Sequence, residues 1–348
     1  MKKRFHFGLI LIIILVLALS GCGGGRSRVL DGYTPGQSST CTVDGVSFNI
    51  HYVPGVTVFP MDSNPIGSVI DDAGVGSVSN SFWMAETEVT YELWNKVYTW
   101  ATTGGHGYSF SHSGVMGDGN GDTGQHPVTT ITWRDAMVWC NALTEYSNAT
   151  NGASLEPVYY SDAGYTALLK SSTVNEPLDS TLGSEDMPYI KATVEGNTDI
   201  INCSAKGFRL PTSLEWELAA RYQGNNSSNG AINKGGLFWT PGNYASGATA
   251  AYTHAPATGA VAWYSGNSDN STHPVKSILQ KNALGLYDMS GNVWEWCFDW
   301  VGVPANSNRV TRGGAWDNNA FSLQIGGVNN NIPYWANEYL GFRPVRTQ

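Results

Sequence analysis

Two acidic side chains seven positions apart flank a glycine turn, and their types and spacing suit the binding of a metal ion. Asp288 and Glu295 lie on either side of the stretch Met-Ser-Gly-Asn-Val-Trp at residues 289–294. Carboxylate oxygens with main-chain carbonyl oxygens between them are hard ligands of the kind that Ca²⁺ takes. The alternative needs no metal. In it Asp288 stabilises the turn as a helix cap would, and Glu295 is a buried, hydrogen-bonded carboxylate.

The five cysteines do not form a pattern typical of a metal centre or a redox site. Beyond the one near the N-terminus they are scattered, at Cys41, Cys140, Cys203 and Cys297. No Cys-x-x-Cys pair or Cys/His cluster occurs, which argues against zinc. Tryptophans adjoin Cys140 and Cys297 and favour buried, unreactive thiols there. The seven histidines are scattered too, with no Ser-His-Asp order and no His-Glu-x-x-His motif.

The composition is poor in charge and rich in glycine and tryptophan. Of 348 residues, 14% are charged, 41 are Gly and 13 are Trp, and the formal net charge is −9. The acidic balance argues against nucleic-acid binding, which needs a basic patch to displace counterions from phosphates. Few charges also argue against a helical bundle, whose helices need charged outer faces. The composition favours a loop-rich fold with an aromatic core.

The N-terminus has the features of an export signal. Basic residues at positions 2–4 precede an apolar run at 8–19, which is short for a membrane span. The run ends in Leu-Ser-Gly-Cys, which resembles a bacterial lipobox, where signal peptidase cuts before the cysteine and the thiol is acylated. We therefore predict a signal peptide over 1–21 and lipidation of Cys22. The alternative is a plain secretory signal with a chance cysteine.

The rest of the chain predicts an α+β fold. Residues 22–40 read as the lipidated cysteine and a flexible tether, and alternating apolar residues predict strands within 41–62. Helix signals occur over 83–101, after Thr132, and after Thr212, where Glu215 completes a capping box. Residues 148–206 are polar and irregular and predict a surface insertion. Two main helices, short strands and long loops are the expected elements.

Six segments, in order, resemble the sulfatase-modifying-factor family, which comprises formylglycine-generating enzymes and non-enzymatic relatives. They are FWMAETEVT at 82–90, HPV at 126–128 with TW at 132–133, GFRLPT at 207–212 with EWE at 215–217, NALGLYDMSGNVWEW at 282–296, RGGAW at 312–316 and GFR at 341–343. The resemblance covers about residues 45–346. It implies a formylglycine-generating-enzyme-type C-type lectin fold, as a single domain over 41–348.

The resemblance also bears on metals and catalysis. It implies that the side chains of Asp288 and Glu295, with the carbonyl oxygens of Gly291 and Val293, hold a structural calcium; no cofactor is otherwise required. Formylglycine-generating enzymes use copper and two cysteines between the RGG and GFR motifs. In this chain that interval, residues 315–340, has no cysteine and no histidine, and Leu323 stands about where the first cysteine would be. Leucine neither binds copper nor supplies a thiol, so we expect no enzymatic activity.

The interval 315–340 is rich in asparagine: six of its 26 residues are Asn, and it has no Lys or Arg. An Asn-rich stretch between intact RGG and GFR motifs resembles the variable proteins of diversity-generating retroelements. In those proteins, adenines of template Asn codons are replaced at random. Such codons become Phe, Ser, Tyr, Ile, Gly or Asp, but not Trp, Gln or Glu. The candidate variable, ligand-binding positions are Asp317, Asn318, Asn319, Phe321, Ser322, Gly327, Asn329, Asn330, Asn331, Ile332, Tyr334, Asn337 and Tyr339.

The remaining residues of the interval are expected to form the scaffold. The codon rule makes Trp316, Gln324, Trp335 and Glu338 fixed positions, and partial alternation predicts that Leu323, Ile325 and Val328 are core. Asn, Tyr, Phe, Ser and Gly side chains resemble the chemistry of antibody loops, in which rigid rings and adaptable amides make the contacts. The alternative is an ordinary family member whose asparagines satisfy their own backbone in turns.

These observations predict a lipid-anchored bacterial envelope protein, placed on the outer membrane and facing the exterior. It binds diverse ligands, for which proteins are the expected class, through a hypervariable site diversified by a retroelement. Its other expected partner is the lipid bilayer, through acylated Cys22, and nucleic acid is not expected. The alternatives are a non-variable structural or adhesin member of the family, a formylglycine-generating oxidase, and a sugar-binding lectin, although no EPN- or QPD-like sugar motif is present.

Overall fold

The computed structural model describes residues 32–64, 67, 69, 71–117, 124–173, 188–191, 204–301 and 308–348. The predicted signal peptide, Cys22 and most of the predicted insertion at 148–206 lie outside these ranges, as does Cys203. Within them, no helix has both the length and the apolar character needed to cross a membrane.

Threonine side chains start the three longer helices of the described chain. The helices are α1 Tyr91–Thr102, α2 Trp133–Asn151, α3 Ser213–Arg221 and α4 Ala255–Gly259. The hydroxyls of Thr90, Thr132 and Thr212 each accept the N–H three residues on, at 3.0–3.2 Å. In α2 and α3 the acidic side chain at that position returns a bond to the threonine N–H, which completes a capping box. The predicted caps are confirmed.

The strands are short. They are β1 Ser38–Val43, β2 Val46–Val53, β3 Val56–Met61, β4 Gly74–Val78, β5 Phe82–Ala85, β6 Val115–Met116, β7 Val128–Thr129, β8 Tyr159–Tyr160, β9 Tyr189–Ile190, β10 Phe208–Arg209, β11 Tyr222–Gly224, β12 Ile232–Lys234, β13 Leu237–Trp239, β14 Trp294–Trp300, β15 Arg309–Arg312, β16 Asn329–Asn331, β17 Leu340–Gly341 and β18 Val345–Thr347. The strands predicted within 41–62 are confirmed. The helix signals beginning at Trp83 were placed too early, because residues 82–85 are a fully buried strand, and a short apolar run does not distinguish helix from strand.

Two sheets organise the chain. The five-stranded sheet is antiparallel and has the order β1-β2-β5-β18-β10. In this order the C-terminal strand β18 is an interior strand. The four-stranded sheet has the order β16-β15-β14-β17, in which only β14 and β17 are parallel. This second sheet holds both ends of the interval 315–340. Strand β15 precedes the interval, β16 lies within it, and β17 begins at its last residue.

Aromatic rings fill the core between α1, α2 and the C-terminal strands. The rings of Trp94 and Trp139 stack, with centroids 5.7 Å apart and planes 3° from parallel. The ring of Phe342 meets both edge-on. The glycine- and tryptophan-rich composition therefore corresponds to a loop-rich α+β fold with an aromatic core, as predicted.

Candidate ligand-binding surface

The interval 315–340 is attached to the rest of the chain repeatedly through its own carbonyl oxygens. Near its end, Trp294 N–H donates to the carbonyl oxygen of Tyr339 at 2.8 Å, and Thr130 N–H donates to that of Asn337 at 2.9 Å. Further back, Trp133 N–H donates to the carbonyl oxygen at position 333 at 3.0 Å. Because every residue type carries a carbonyl oxygen, these attachments do not depend on which side chains the interval carries.

Side chains of the scaffold also donate to main-chain oxygens in the middle of the interval. Arg312 Nη1 donates to the carbonyl oxygens of Ile325 at 3.2 Å and Gly327 at 2.8 Å. The Ser290 hydroxyl donates to the carbonyl oxygen of Leu323 at 3.0 Å. The fold therefore fixes the path of the main chain here with atoms that lie outside the interval.

A chain of buried charges stands behind the Arg312 contacts. Arg312 Nη2 donates to Glu217 at 2.8 Å, and the other oxygen of Glu217 accepts from Arg221 Nε at 2.8 Å. Arg221 Nη1 in turn donates to Asp72 at 2.6 Å. Both arginines and Glu217 are fully buried. Such charges are stable only when paired, so this network holds Arg312 in one orientation beneath the interval.

Three apolar side chains anchor the interval from below. Leu323, Ile325 and Val328 are all buried, which confirms the prediction that they are core. The side chain of Leu323 packs into a cluster formed by Ala245, Ala248, Val261, Ala262 and Tyr264. Gln324, predicted to be scaffold, is buried as well and donates to the carbonyl oxygen of Phe321 at 2.8 Å.

None of the thirteen candidate variable side chains is buried. Five are exposed, namely Asp317, Asn319, Phe321, Asn329 and Tyr334. Eight are partly exposed, namely Asn318, Ser322, Gly327, Asn330, Asn331, Ile332, Asn337 and Tyr339. The structure thus places all of these positions at the surface, while Leu323, Ile325 and Val328 between them are buried.

Large aromatic rings are exposed on this surface. Phe321, Tyr334 and Trp335 are 45%, 56% and 44% exposed, and they are three of the seven exposed large apolar side chains in the described chain. Trp335 and Glu338, which the codon rule predicts to be fixed positions, are both exposed. The codon rule concerns whether a residue can change, and a residue that cannot change can still face solvent.

Several asparagine side chains of the interval already make hydrogen bonds to other residues of the chain. The side-chain oxygens of Asn318 and Asn319 accept the main-chain N–H groups of Ala315 and Phe321, each at 3.1 Å. The amide of Asn331 donates to the hydroxyl of Thr311 at 3.2 Å. The contacts of Asn318 and Asn319 are the role that the alternative interpretation gave to the asparagines, in which they satisfy their own backbone. The exposed rings, more than the amides, are therefore the groups free to contact a ligand.

One candidate variable position is restricted to glycine by its surroundings. A Cβ atom at Gly327 would lie 2.8 Å from the carbonyl oxygen of Gly67 and 3.2 Å from that of Gln324. Both are backbone atoms and cannot rotate away as a flexible side chain can. The next residue in the chain, Val328, is also held by Gly67, because the Gly67 N–H donates to the carbonyl oxygen of Val328 at 3.0 Å. The structure therefore argues against Gly327 as a freely variable position.

The two acidic groups of the interval lie close together on this surface. Partial burial, and then the charge of Glu338, raise the pKa of Asp317. Partial burial, and then the charge of Asp317, raise the pKa of the Tyr339 hydroxyl. The indole of Trp316 donates to the carbonyl oxygen of Glu338 at 3.5 Å. The surface is thus aromatic and weakly acidic, and it has no basic residue.

The residues of the predicted calcium site make other contacts. Both oxygens of Glu295 accept from the Arg343 guanidinium at 2.8–3.1 Å, and one also accepts from the Trp216 indole at 2.8 Å. Asp288 accepts the main-chain N–H of Lys276 at 2.8 Å. A carboxylate that is already neutralised and saturated by a guanidinium does not fit the role of a calcium ligand. The calcium site of Asp288, Gly291, Val293 and Glu295 stays a prediction, and these contacts count against it.

The thiols of the described chain do not form a catalytic pair. Cys140 and Cys297 are fully buried, as predicted, and burial raises the pKa of each thiol above its usual value. Cys41 is partly buried, and none of the three is disulfide-bonded. A thiol with a raised pKa carries little thiolate, the form that attacks substrates and binds metals. Leu323, whose side chain is buried, stands at the position where the resemblance would place a catalytic cysteine.

Sequence reasoning missed the residues that support this surface from other segments. Asp72 and Gly67 gave no signal, because each acts across a long sequence separation. Arg221 gave a weak sequence signal for an ion pair, since it follows Glu217 by four residues on one helix face. Nothing in the sequence indicated that Trp335 is exposed.

Comparisons with known proteins agree with the geometry. Residues 70–348 match the model of the sulfatase-modifying factor enzyme 1-like domain. Among curated proteins, a chaperone protein LppX of Paenibacillus barcinonensis is 31% identical over 71% of this chain and 73% of its own length. An inactive C-alpha-formylglycine-generating enzyme 2 of Bos taurus is 30% identical over 46% of this chain and 50% of its own length. Proteins named as formylglycine-generating enzymes also match.

Among solved structures, Treponema denticola variable protein 1 is similar with a TM-score of 0.58 and 30% identity. The similarity covers 89% of this chain and 99% of that one. The family resemblance stated from the six motifs is thereby confirmed, as is the resemblance to a variable protein stated from the Asn-rich interval. The chain belongs to the sulfatase-modifying-factor family and has its formylglycine-generating-enzyme-type C-type lectin fold.

Proposed function

We propose that this protein is a surface lipoprotein that binds other proteins through the side chains of residues 315–340. One observation carries the proposal. The main chain of the interval is held by donors from elsewhere in the fold, while none of its thirteen candidate side chains is buried. A site built in this way tolerates exchange of its contact residues without loss of its shape. Twelve of the candidates, all except Gly327, are the positions that we propose to vary.

A protein is the favoured ligand because three large rings of the interval are exposed. Phe321, Tyr334 and Trp335 provide large, rigid contact areas that lose little side-chain entropy on binding. Two cavities among the described residues, of about 670 and 230 Å³, lie beside α1 and along β2, and no residue of 315–340 lines either of these two. Broad aromatic surfaces are typical of protein interfaces, whereas small ligands are bound in concave pockets.

The proposal includes anchoring and diversification. The relative named LppX supports a lipoprotein, and the lipobox-like sequence supports acylation at Cys22. The similarity to a variable protein supports diversification of the interval by a retroelement. We propose display on the exterior of the outer membrane. Sequencing the locus in sister clones tests diversification, and uniform sequences at the twelve positions would count against it.

We propose further that the protein is not an enzyme. The interval between the RGG and GFR motifs has no cysteine, and Leu323 is part of an apolar cluster. The buried thiols of Cys140 and Cys297 are poor replacements, because their raised pKa values keep them protonated. Incubation with copper and a cysteine-containing sulfatase peptide tests this point. Formation of formylglycine would overturn it.

A display experiment tests the binding function directly. The mature chain is displayed on yeast with the twelve positions randomised to the residues that Asn codons yield, and the library is sorted against lysozyme and streptavidin as probes. The control library randomises twelve exposed or partly exposed positions outside 308–348, including Glu92, Asn95 and Thr99 on α1. We expect specific binders from the first library only. Equal enrichment from both libraries, or from neither, would contradict the proposal.

A further inference from the structure

A tyrosine outside the interval lies against its surface. The rings of Tyr252 and Phe321 meet edge to face, with centroids 5.8 Å apart and planes 86° from parallel. Tyr252 is partly exposed, and residues 253–256, which follow it, are all exposed. The aromatic surface therefore extends from 315–340 onto a loop that the codon rule leaves out.

The backbone of this loop is fixed in place. Tyr252 N–H donates to the carbonyl oxygen of Asn243 at 3.0 Å, and the hydroxyl of Thr258 donates to the carbonyl oxygen of Tyr252 at 3.1 Å. The same loop binds the interval directly, because Ile325 N–H donates to the carbonyl oxygen of Tyr244 at 3.0 Å. Tyr252 thus has a defined position relative to residue 321, whichever side chain stands there.

The hydroxyl of Tyr252 is available for a ligand. It makes no hydrogen bond to any residue in the described ranges, although the main-chain atoms of Tyr252 are bonded on both sides. A tyrosine with a fixed backbone, a partly exposed ring and a free hydroxyl has the features of residues that dominate binding at protein interfaces. Its ring offers apolar contact, and its hydroxyl can donate to a carbonyl or carboxylate of the partner.

We propose that Tyr252 is a constant contact residue of the binding surface, used by ligands whatever the sequence of 315–340. The inference rests on the proposed binding function and deepens it. When residue 321 is aromatic, as Phe321 is, the edge-to-face contact orders the two rings as one contact area. When residue 321 is Ser, Asn, Asp or Gly, the face of Tyr252 is open to an apolar side chain of the partner.

The test uses binders selected from the twelve-position library against lysozyme and streptavidin. Several binders with different sequences, including small residues at position 321, each receive Tyr252→Ala, Tyr252→Phe or Tyr165→Ala. Tyr165 is the matched control, because it is partly exposed and meets Tyr160 edge to face at 5.5 Å. Thermal melting identifies any variant that fails to fold. If Tyr252→Ala fails to fold, Tyr252→Phe still tests the contribution of the hydroxyl, because it keeps the ring.

We expect Tyr252→Ala to weaken binding by about tenfold or more in most binders, with both probes. We expect Tyr252→Phe to cost less, and Tyr165→Ala to have no effect. A Tyr252→Ala variant that binds like Tyr165→Ala would overturn the inference. A library that yields no binders counts against the proposed function itself, so the two failures are distinguishable.

Discussion

The guanidinium of Arg312 donates to the carbonyl oxygen of Gly327 at 2.8 Å and, from its other terminal nitrogen, to the carboxylate of Glu217 at 2.8 Å. One side chain thereby joins a buried ion-pair network to the main chain of the candidate binding surface. Because the contact is to a carbonyl oxygen, it does not depend on which side chains stand at the twelve positions proposed to vary. The shape of the surface is thus determined by residues that lie beneath it.

Replacement of Arg312 should destabilise the fold strongly. Arg312→Ala leaves Glu217 with one partner in place of two and leaves two carbonyl oxygens without a donor. We expect the free energy of unfolding to fall by about 3–5 kcal/mol, as for other buried pairs that lose one partner. Chemical denaturation measures this loss. Arg346→Ala is the control, because Arg346 is partly exposed on β18, and an equal loss in both variants would contradict the assigned role.

Substitution within the interval should be tolerated at one position and costly at another. Gly327→Ala places a Cβ atom 2.8 Å from the carbonyl oxygen of Gly67, so the backbone must shift. We expect a loss of about 1–3 kcal/mol in the free energy of unfolding, the usual cost of overpacking. Asn329→Ala removes part of an exposed side chain and should change it by less than about 0.5 kcal/mol. If both variants melt at the wild-type temperature, Gly327 belongs with the variable positions.

The buried carboxyl group of Asp288 should make stability depend on pH. Burial raises the pKa of Asp288 to about 6, from 3.8 as the ordinary value. The native state therefore holds this proton more tightly than the unfolded state does. Stability is lost as the pH rises from about 3.8 to about 6. Asn keeps an oxygen for the Lys276 N–H and tolerates the left-handed backbone at φ 53°. Asp288→Asn should therefore stabilise the protein at pH 7.5, by on the order of 2 kcal/mol.

Melting curves at pH 4 and pH 7.5 measure this difference. The advantage of Asp288→Asn should shrink at pH 4, where the wild-type carboxyl group is protonated in the native state. Asp71→Asn serves as a control of opposite sign, because hydrogen bonds from the main chain of Ser63 and Ala73 lower the pKa of Asp71. An Asp288→Asn variant that is less stable than wild type at pH 7.5 would show that the charged carboxylate is needed there, as a metal ligand would be.

Calcium should have little effect on this chain. Both oxygens of Glu295 are bound to Arg343, and one also accepts from Trp216, so the ion would have to displace a buried guanidinium. We expect the melting temperature to be the same in millimolar CaCl₂ and in EGTA. A stabilisation by calcium that Asp288→Asn or Glu295→Gln abolishes would establish the site that the family resemblance implies.

Local chemistry explains what could be predicted from the sequence. Thr132 and Thr212 act within one helical turn of their partners, so the capping signals were readable from neighbouring residues. The burial of Leu323, Ile325 and Val328 followed from alternation within six residues. The family motifs supplied the fold, which these local signals alone specify only as α+β.

Interactions across long sequence separations explain what could not be predicted. The restriction at Gly327 comes from Gly67, and the charge network of Arg312 ends at Asp72. Tyr252 reaches the candidate surface from a loop about seventy residues earlier in the chain. No periodicity or cap connects such residues, because their meeting depends on how the two sheets place their loops.

The carbonyl attachments of 315–340 also affect the order of assembly. Their donors include Thr130, Trp133 and Trp294, which are far away in the sequence and come together only once α2 has docked on β14. We expect contacts of such long range to form late, because their loop-closure entropy must be overcome first. Substitutions among late-forming contacts change the unfolding rate rather than the folding rate. We therefore expect substitutions at the twelve proposed variable positions to leave the folding rate close to that of the parent chain. An unfavourable substitution there should shorten the lifetime of the folded protein without slowing its formation.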